Sequence, residues 1–172
     1  MAGTTRKGAT RRHEVEFTRR GGASRLPRRP LREVMRAILA DCSAPAGTVS
    51  VCAVGDAQMR HLSSIYKGED DTTDVLAFNL SDDLPGGAPS GEIVVNSDLA
   101  LAEAHRYGNT PARELALYVI HGTLHLQGFD DRDGAQRRRM RRAEAKYLAL
   151  YDGVCAGRGR SPSRQGEAPS ER

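Results

Sequence analysis

Tryptophan is absent from this chain of 172 residues, and five tyrosines and three phenylalanines supply all of its aromatic surface. With 38% apolar and 28% charged residues, that describes one domain with a modest core. No run approaches the roughly 18–20 apolar residues of a membrane span, so no transmembrane helix is expected. The first residues, MAGTTRKGATRRHEVEF, are basic but lack the apolar stretch of a secretory signal. Cysteine is scarce and scattered: Cys42, Cys52 and Cys155 form no CxxC pair. That excludes a cysteine-rich zinc site and fits reduced thiols in a cytoplasmic protein, with Cys42 and Cys52 as small core residues. Any metal must be held by histidine and carboxylate.

Basic residues are scarce in the middle of the chain. Residues 41–131 carry four Lys/Arg against fourteen acids, whereas residues 1–36 carry eleven against three and residues 132–172 eleven against five. A net charge of −10 thus lies between basic ends of +8 and +6. Clusters such as Arg28-Arg29 and Arg137-Arg138-Arg139 either neutralise phosphates or serve as solubilising segments; composition does not choose between them.

Apolar periodicity organises the chain. HEVEF (13–17) alternates as a short edge strand. Pro30 opens a helix with Leu31, Val34, Met35, Ile38 and Leu39 on one face. TVSVCAV (48–54) reads as a central strand, and Asp56 caps a helix running to Tyr66. DVLAFNL (74–80) and GEIVVN (91–96) are strands, with a Pro85-Gly86-Gly87 loop between them. Ser97 or Asp98 starts a helix to Tyr107, Pro111 one to about Gln127, and a last helix spans about 133–151. The expected fold is α/β (α+β): one mixed sheet of about four strands covered by about five helices. Residues 13–152 form the domain, with tails at 1–12 and 153–172 that lack the apolar content to fold.

The segment ELALYVIHGTLHLQGFDD (114–131) carries the chemistry. His121 and His125 lie four apart, which on a helix places both rings on one face. Gly128 can end that helix in the left-handed conformation and reverse the chain, bringing Asp131, or its neighbour Asp130, beside the rings. Two helical histidines and one carboxylate predict a three-ligand cation site with an open position, zinc by preference, although such sets also hold Fe(II). Against this stands the reading of two core histidines bonded to backbone carbonyls. The HExxH proteases carry a Glu directly after the first His as general base; here Gly122 occupies that position, which turns the site away from proteolysis. A phosphodiester, whose oxygens can ligate the ion, suits a site without that Glu.

HGTLHLQGFDD resembles the YbeY family signature, HGxLHLxGYDH. IYKGEDDTTDVLAF (65–78) resembles the family segment YRxKDxPTDVLSF, and SGEIVVN (90–96) its GDIVI strand. The resemblance spans about residues 13–151. It implies a single α/β domain with one Zn2+ in a cleft and a single-strand-directed endoribonuclease active in rRNA processing. The steps implied are 16S 3′-end maturation and quality control of the small ribosomal subunit, with ribosomal proteins or an assembly GTPase as partners. The family's ligands fall on His121, His125 and Asp131, the last being His in most members; Asp adds a negative charge that weakens Lewis acidity. The family's arginine, implied in catalysis or RNA contact, falls on Lys67, which keeps the charge without the bidentate fork. Arg137 and Arg138 are candidate RNA contacts on the last helix. Asp74 either caps its loop or lines the cleft. With Phe129 and Tyr66 the aromatics near these residues, contact is expected mainly to phosphates, with steep salt dependence. The competing readings are a non-catalytic assembly factor with a structural metal and a metalloprotease-like hydrolase.

Overall fold

The computed structural model describes residues 13–68, 70–81 and 90–157; the tail expected at 1–12, most of that at 153–172 and the Pro85 loop lie outside them. Four strands, β1 (Glu14–Arg20), β2 (Thr48–Val54), β3 (Val75–Asn79) and β4 (Ser90–Asn96), form one sheet in the order β1-β2-β4-β3. β1 and β4 run parallel to β2, and β3 is antiparallel to β4 at the edge. The helices are α1 (Arg28–Asp41), α2 (Asp56–Lys67), α3 (Ser97–Tyr107), α4 (Pro111–Leu126) and α5 (Gly134–Ala156). The expected mixed sheet, with HEVEF at an edge and TVSVCAV inside, is the one found.

Strand alternation divides the core in two. Val49, Val51 and Ala53 of β2, with Ile93 and Val95 of β4, face α1, α4 and α5 in the main core. Cys52, Val54, Leu76 and Val94 point the other way, onto Met59 of α2. Both central strands are therefore apolar on both faces, which is why their sequences do not alternate. α4 is buried along most of its surface, and its half-exposed stripe runs through Leu117, His121 and His125.

Three helix boundaries differ from the sequence reading. α1 begins two residues before Pro30, at Arg28. Asp56 does not cap α2: Gly55 is the cap residue, and the Asp56 carboxylate instead accepts bonds from Thr72 Oγ1 at 2.7 Å and Asn96 Nδ2 at 2.9 Å. The acceptor at that helix start is Asp98 of α3, which takes Asp56 N–H at 2.9 Å and Ala23 N–H at 2.7 Å. One carboxylate thus ties together three segments distant in sequence. Asp98→Ala is expected to cost about 1–2 kcal/mol, the scale of a lost cap, measured as a lower urea midpoint with unchanged slope. Third, α5 continues to Ala156, past the helix end expected at about 151. Gly153 reads as a breaker, but Tyr151 is buried in the core and Asp152 pairs with Arg113 at 3.0 Å, which anchors the turn and carries the helix past it.

Candidate metal centre

α4 is set up locally to present its two histidines. Pro111 occupies its first turn and Thr110 Oγ1 accepts Arg113 N–H at 3.2 Å. At the other end Gly128 adopts φ +79°, its N–H bonds to His125 O at 3.0 Å, and Phe129 N–H bonds to Leu124 O at 3.1 Å. This double closure is a Schellman motif. It also turns the Phe129 carbonyl back onto His125 Nδ1, 2.9 Å away. A glycine turn that ends the helix therefore also orients one ring of the site.

The other ring is oriented from a distance. His121 Nδ1 lies 2.6 Å from Glu144 Oε1 on α5. Burial works against charge on His121, and the Glu144 hydrogen bond, with the charges of Glu144, Asp74 and Asp131, outweighs it, so its pKa lies above the ordinary histidine value. With both Nδ1 atoms donating to oxygen, each ring offers its Nε2 lone pair. The two Nε2 atoms face one another at 2.8 Å. Two lone pairs at that separation repel unless a cation or a proton lies between them. Asp131 supplies the anionic third donor: its Oδ2 is 4.0 Å from His121 Nε2, and the three donor atoms all lie within 4.8 Å of one another. The donor set therefore fits a divalent ion. The reading of core histidines bonded to carbonyls holds for His125 alone, and there through Nδ1 only.

Asp130 does not compete with Asp131. Its carboxylate accepts Asp131 N–H at 2.8 Å and Arg132 Nε–H at 2.7 Å, closing the loop on itself. The Asp131 N–H bond foremost, and Arg132, hold its pKa below the usual carboxylate range. Arg137 Nη1 reaches the carbonyls of Asp131 at 3.3 Å and Arg132 at 3.4 Å, so it braces the loop that carries Asp131, while Arg138 is exposed on α5. Arg139 lies over the Phe129 ring, 4.3 Å from its centroid.

The histidines open onto a cleft of about 740 Å³, walled by β3 and by the end of α2. Lys67, the last residue of α2, reaches into it and donates to Thr73 Oγ1 at 3.2 Å. Asp74 takes both roles expected of it: Oδ1 accepts Val75 N–H at 2.9 Å, and the residue lines the cleft. Gly122 faces the sheet, where an added Cβ would stand 2.8 Å from Ile93 Cγ2 and 2.9 Å from Val75 Cγ2. Its lack of a side chain is thus also a packing requirement. His61 and His105 are exposed and outside the site. Glu144 is the residue that sequence reading missed. Its signal is faint: it is the only acid between Gly134 and Tyr151, in a helix dominated by arginine. Glu144→Gln is expected to weaken metal binding by about 10- to 100-fold, the usual scale for a partner of a metal-ligating histidine, read by competition against a chromophoric chelator.

Residues 21–152 match the family described as Endoribonuclease YbeY. A relative of that name from Anaeromyxobacter sp. (strain Fw109-5) is 37% identical over 141 residues, covering 81% of this chain and 73% of the relative. One from Syntrophomonas wolfei is 34% identical over 113 residues, covering 60% of this chain and 72% of the relative. A Thermotoga maritima protein solved in solution superposes with a TM-score of 0.60 at 27% identity, over 88% of this chain and 99% of that one. The chain therefore belongs to the YbeY endoribonuclease family.

Proposed function

We propose that this protein is a cytoplasmic zinc-dependent endoribonuclease that cuts single-stranded segments of rRNA precursors, including the 3′ end of 16S rRNA. The observation that carries the reading is the convergence of His121 Nε2, His125 Nε2 and the Asp131 carboxylate at the floor of an open cleft. Among the described residues no helix is long and apolar enough to cross a membrane.

When bound there, the ion supplies Lewis acidity toward a phosphate oxygen and lowers the pKa of water. The protein's own groups do the rest. Glu144 and the Phe129 carbonyl hold the two imidazoles in the tautomer that leaves Nε2 free. Lys67, tethered by Thr73, offers a cation to the phosphodiester across the cleft from the histidines. Asp74 accepts from Thr73 Oγ1 and Val75 N–H through Oδ1, which leaves Oδ2 in the cleft to serve as proton acceptor from the attacking hydroxyl, the task that Gly122 cannot perform. Exposed arginines of α5, Arg138 among them, contact phosphates outside the cleft. The small ribosomal subunit, through its rRNA, is the proposed partner, with ribosomal proteins or an assembly GTPase beside it.

The test is to purify the protein, count its metal, and incubate it with structured rRNA fragments. One equivalent of zinc and cleavage confined to unpaired stretches are expected. Full cleavage after the metal has been stripped by a chelator would overturn the metal-dependent reading. Stoichiometric metal with no cleavage would favour an assembly factor that keeps the ion for structure.

A further inference from the structure

Every aromatic ring of the chain can be accounted for. Tyr118, Tyr147 and Tyr151 are buried in the core. Phe17 lies under Arg32 at 5.2 Å, Tyr107 under Arg106 at 5.4 Å, and Phe129 under Arg139 at 4.3 Å. The two that remain, Tyr66 and Phe78, meet each other: their centroids are 4.8 Å apart at an interplanar angle of 60°. Both line the cleft that holds the histidines. Phe78 is half-buried against the α2 side of the sheet, whereas Tyr66 is 62% exposed.

An exposed tyrosine braced edge-on by a fixed phenylalanine is a rigid, low-entropy surface with a free ring face. Its neighbour in sequence, Lys67, faces the same cleft with a cation suited to phosphate. An aromatic face beside a phosphate-binding cation is the pairing that single-stranded nucleic acids require. We propose that Tyr66, supported by Phe78, stacks on one unpaired nucleobase of an RNA whose backbone crosses the metal cleft. This rests on the endoribonuclease reading above and adds a base-holding subsite to it. Phe129, which the sequence also offered for stacking, is excluded by the Arg139 guanidinium over its ring. Because every base has a π-face, the subsite selects unpaired over paired RNA and shows little preference among bases. A duplex keeps its bases stacked on one another and cannot present one to Tyr66.

The probe is a short oligoribonucleotide carrying 2-aminopurine, with a second of equal length in which that position is abasic. Native protein and Tyr66→Phe are expected to quench the fluorophore and to bind with similar affinity. Tyr66→Ala is expected to lose the quenching and to bind roughly 5- to 150-fold more weakly, the range for loss of one stacked base. The exposed position of Tyr66 makes this substitution harmless to the core. On the abasic probe native protein and Tyr66→Ala should bind equally. Salt separates stacking from charge: Tyr66→Ala should leave the slope of log affinity against log salt unchanged, whereas Lys67→Ala should reduce it by about 0.7. Equal quenching and affinity for native protein and Tyr66→Ala, with RNA cleavage intact, would overturn the platform and leave the nuclease standing. Native protein that neither binds nor cuts the oligoribonucleotide would remove both.

Discussion

Replacing His125 with alanine is expected to abolish stoichiometric metal binding and to lower RNA cleavage by more than about 100-fold. The lower bound comes from the effect of losing a mere hydrogen-bond partner of a ligand, which already costs about 10- to 100-fold. His121→Ala should do the same, and it removes the group that Glu144 orients. The two variants differ in what they leave behind. His125→Ala frees the Phe129 carbonyl at the chain reversal, where water can replace the ring. His121→Ala leaves the Glu144 carboxylate, only 18% exposed at its side chain, without its partner. A half-buried charge stripped of its partner is costly, so His121→Ala should also be the less stable fold without metal. Metal content by elemental analysis, cleavage of a labelled rRNA fragment and thermal melting with and without zinc measure the three effects. Zinc at about a thousand times its dissociation constant should stabilise the native protein by about 4 kcal/mol. Neither histidine variant should gain this. A His125→Ala protein that retained one equivalent of metal would show that the ligand set is wrong.

Gly122→Glu, which writes the metalloprotease pattern HExxH into α4, is expected to unfold the protein rather than convert its activity. Removing glycine from a helix interior gains about 1 kcal/mol of propensity. Against that stand Ile93 Cγ2 and Val75 Cγ2 at 2.8 and 2.9 Å from any Cβ. Both are methyls of β-branched residues on strands, which cannot swing aside as a lysine tip would. Overpacking costs about 1–3 kcal/mol, so even Gly122→Ala should be a net loss, and α4 should lift from β3 and β4. Glutamate adds a carboxylate pressed toward an apolar sheet without a partner, a further cost of several kcal/mol. Chemical denaturation of the alanine variant gives the packing penalty alone. A Gly122→Glu protein as stable as the native chain would mean that α4 sits farther from the sheet than the structure places it.

His121→Ala and Gly122→Glu change adjacent residues of α4 yet act through different parts of the molecule. Residue 121 looks along the cleft and residue 122 looks into the sheet, about 100° around the helix. Taken as a missing general base, Gly122 is a chemical feature. Its position against Ile93 and Val75 makes it a structural requirement as well, and nothing in the pattern HGTLH distinguishes the two.

Spacing alone located the two histidines, the turn at Gly128 and the acid that follows. All of that lies within eleven residues, and its geometry is helical: four residues make about one turn, and a glycine permits the positive φ that reverses the chain. The choice of Asp131 over Asp130 was not local in the same sense. It depended on Asp130 being consumed by its own loop and on Arg137 bracing that loop from α5. That β1 lies at an edge and β2 inside was legible from their apolar patterns, whereas β3, an edge strand with Val75 in one core and Leu76 in the other, carries no such mark. Asp98 could not be read that way. Its partners, Ala23 and Asp56, are 75 and 42 residues away, and it resembles any acid in the first turn of a helix.

By itself, then, the sequence determined the nature of the elements, the face that α4 turns outward, and that two histidines and an acid after Gly128 can approach one another. Backbone periodicity and turn chemistry act over a few residues, and those are the distances at which one chain can be read in isolation. Only the tertiary structure decided that Glu144 orients His121, that Lys67 and Asp74 share the same cleft, and that Tyr66 stands uncovered while Phe129 does not. Each of those facts depends on which face of α5 or α2 packs inward. That choice is made by the fit of whole apolar surfaces, and no local spacing records it.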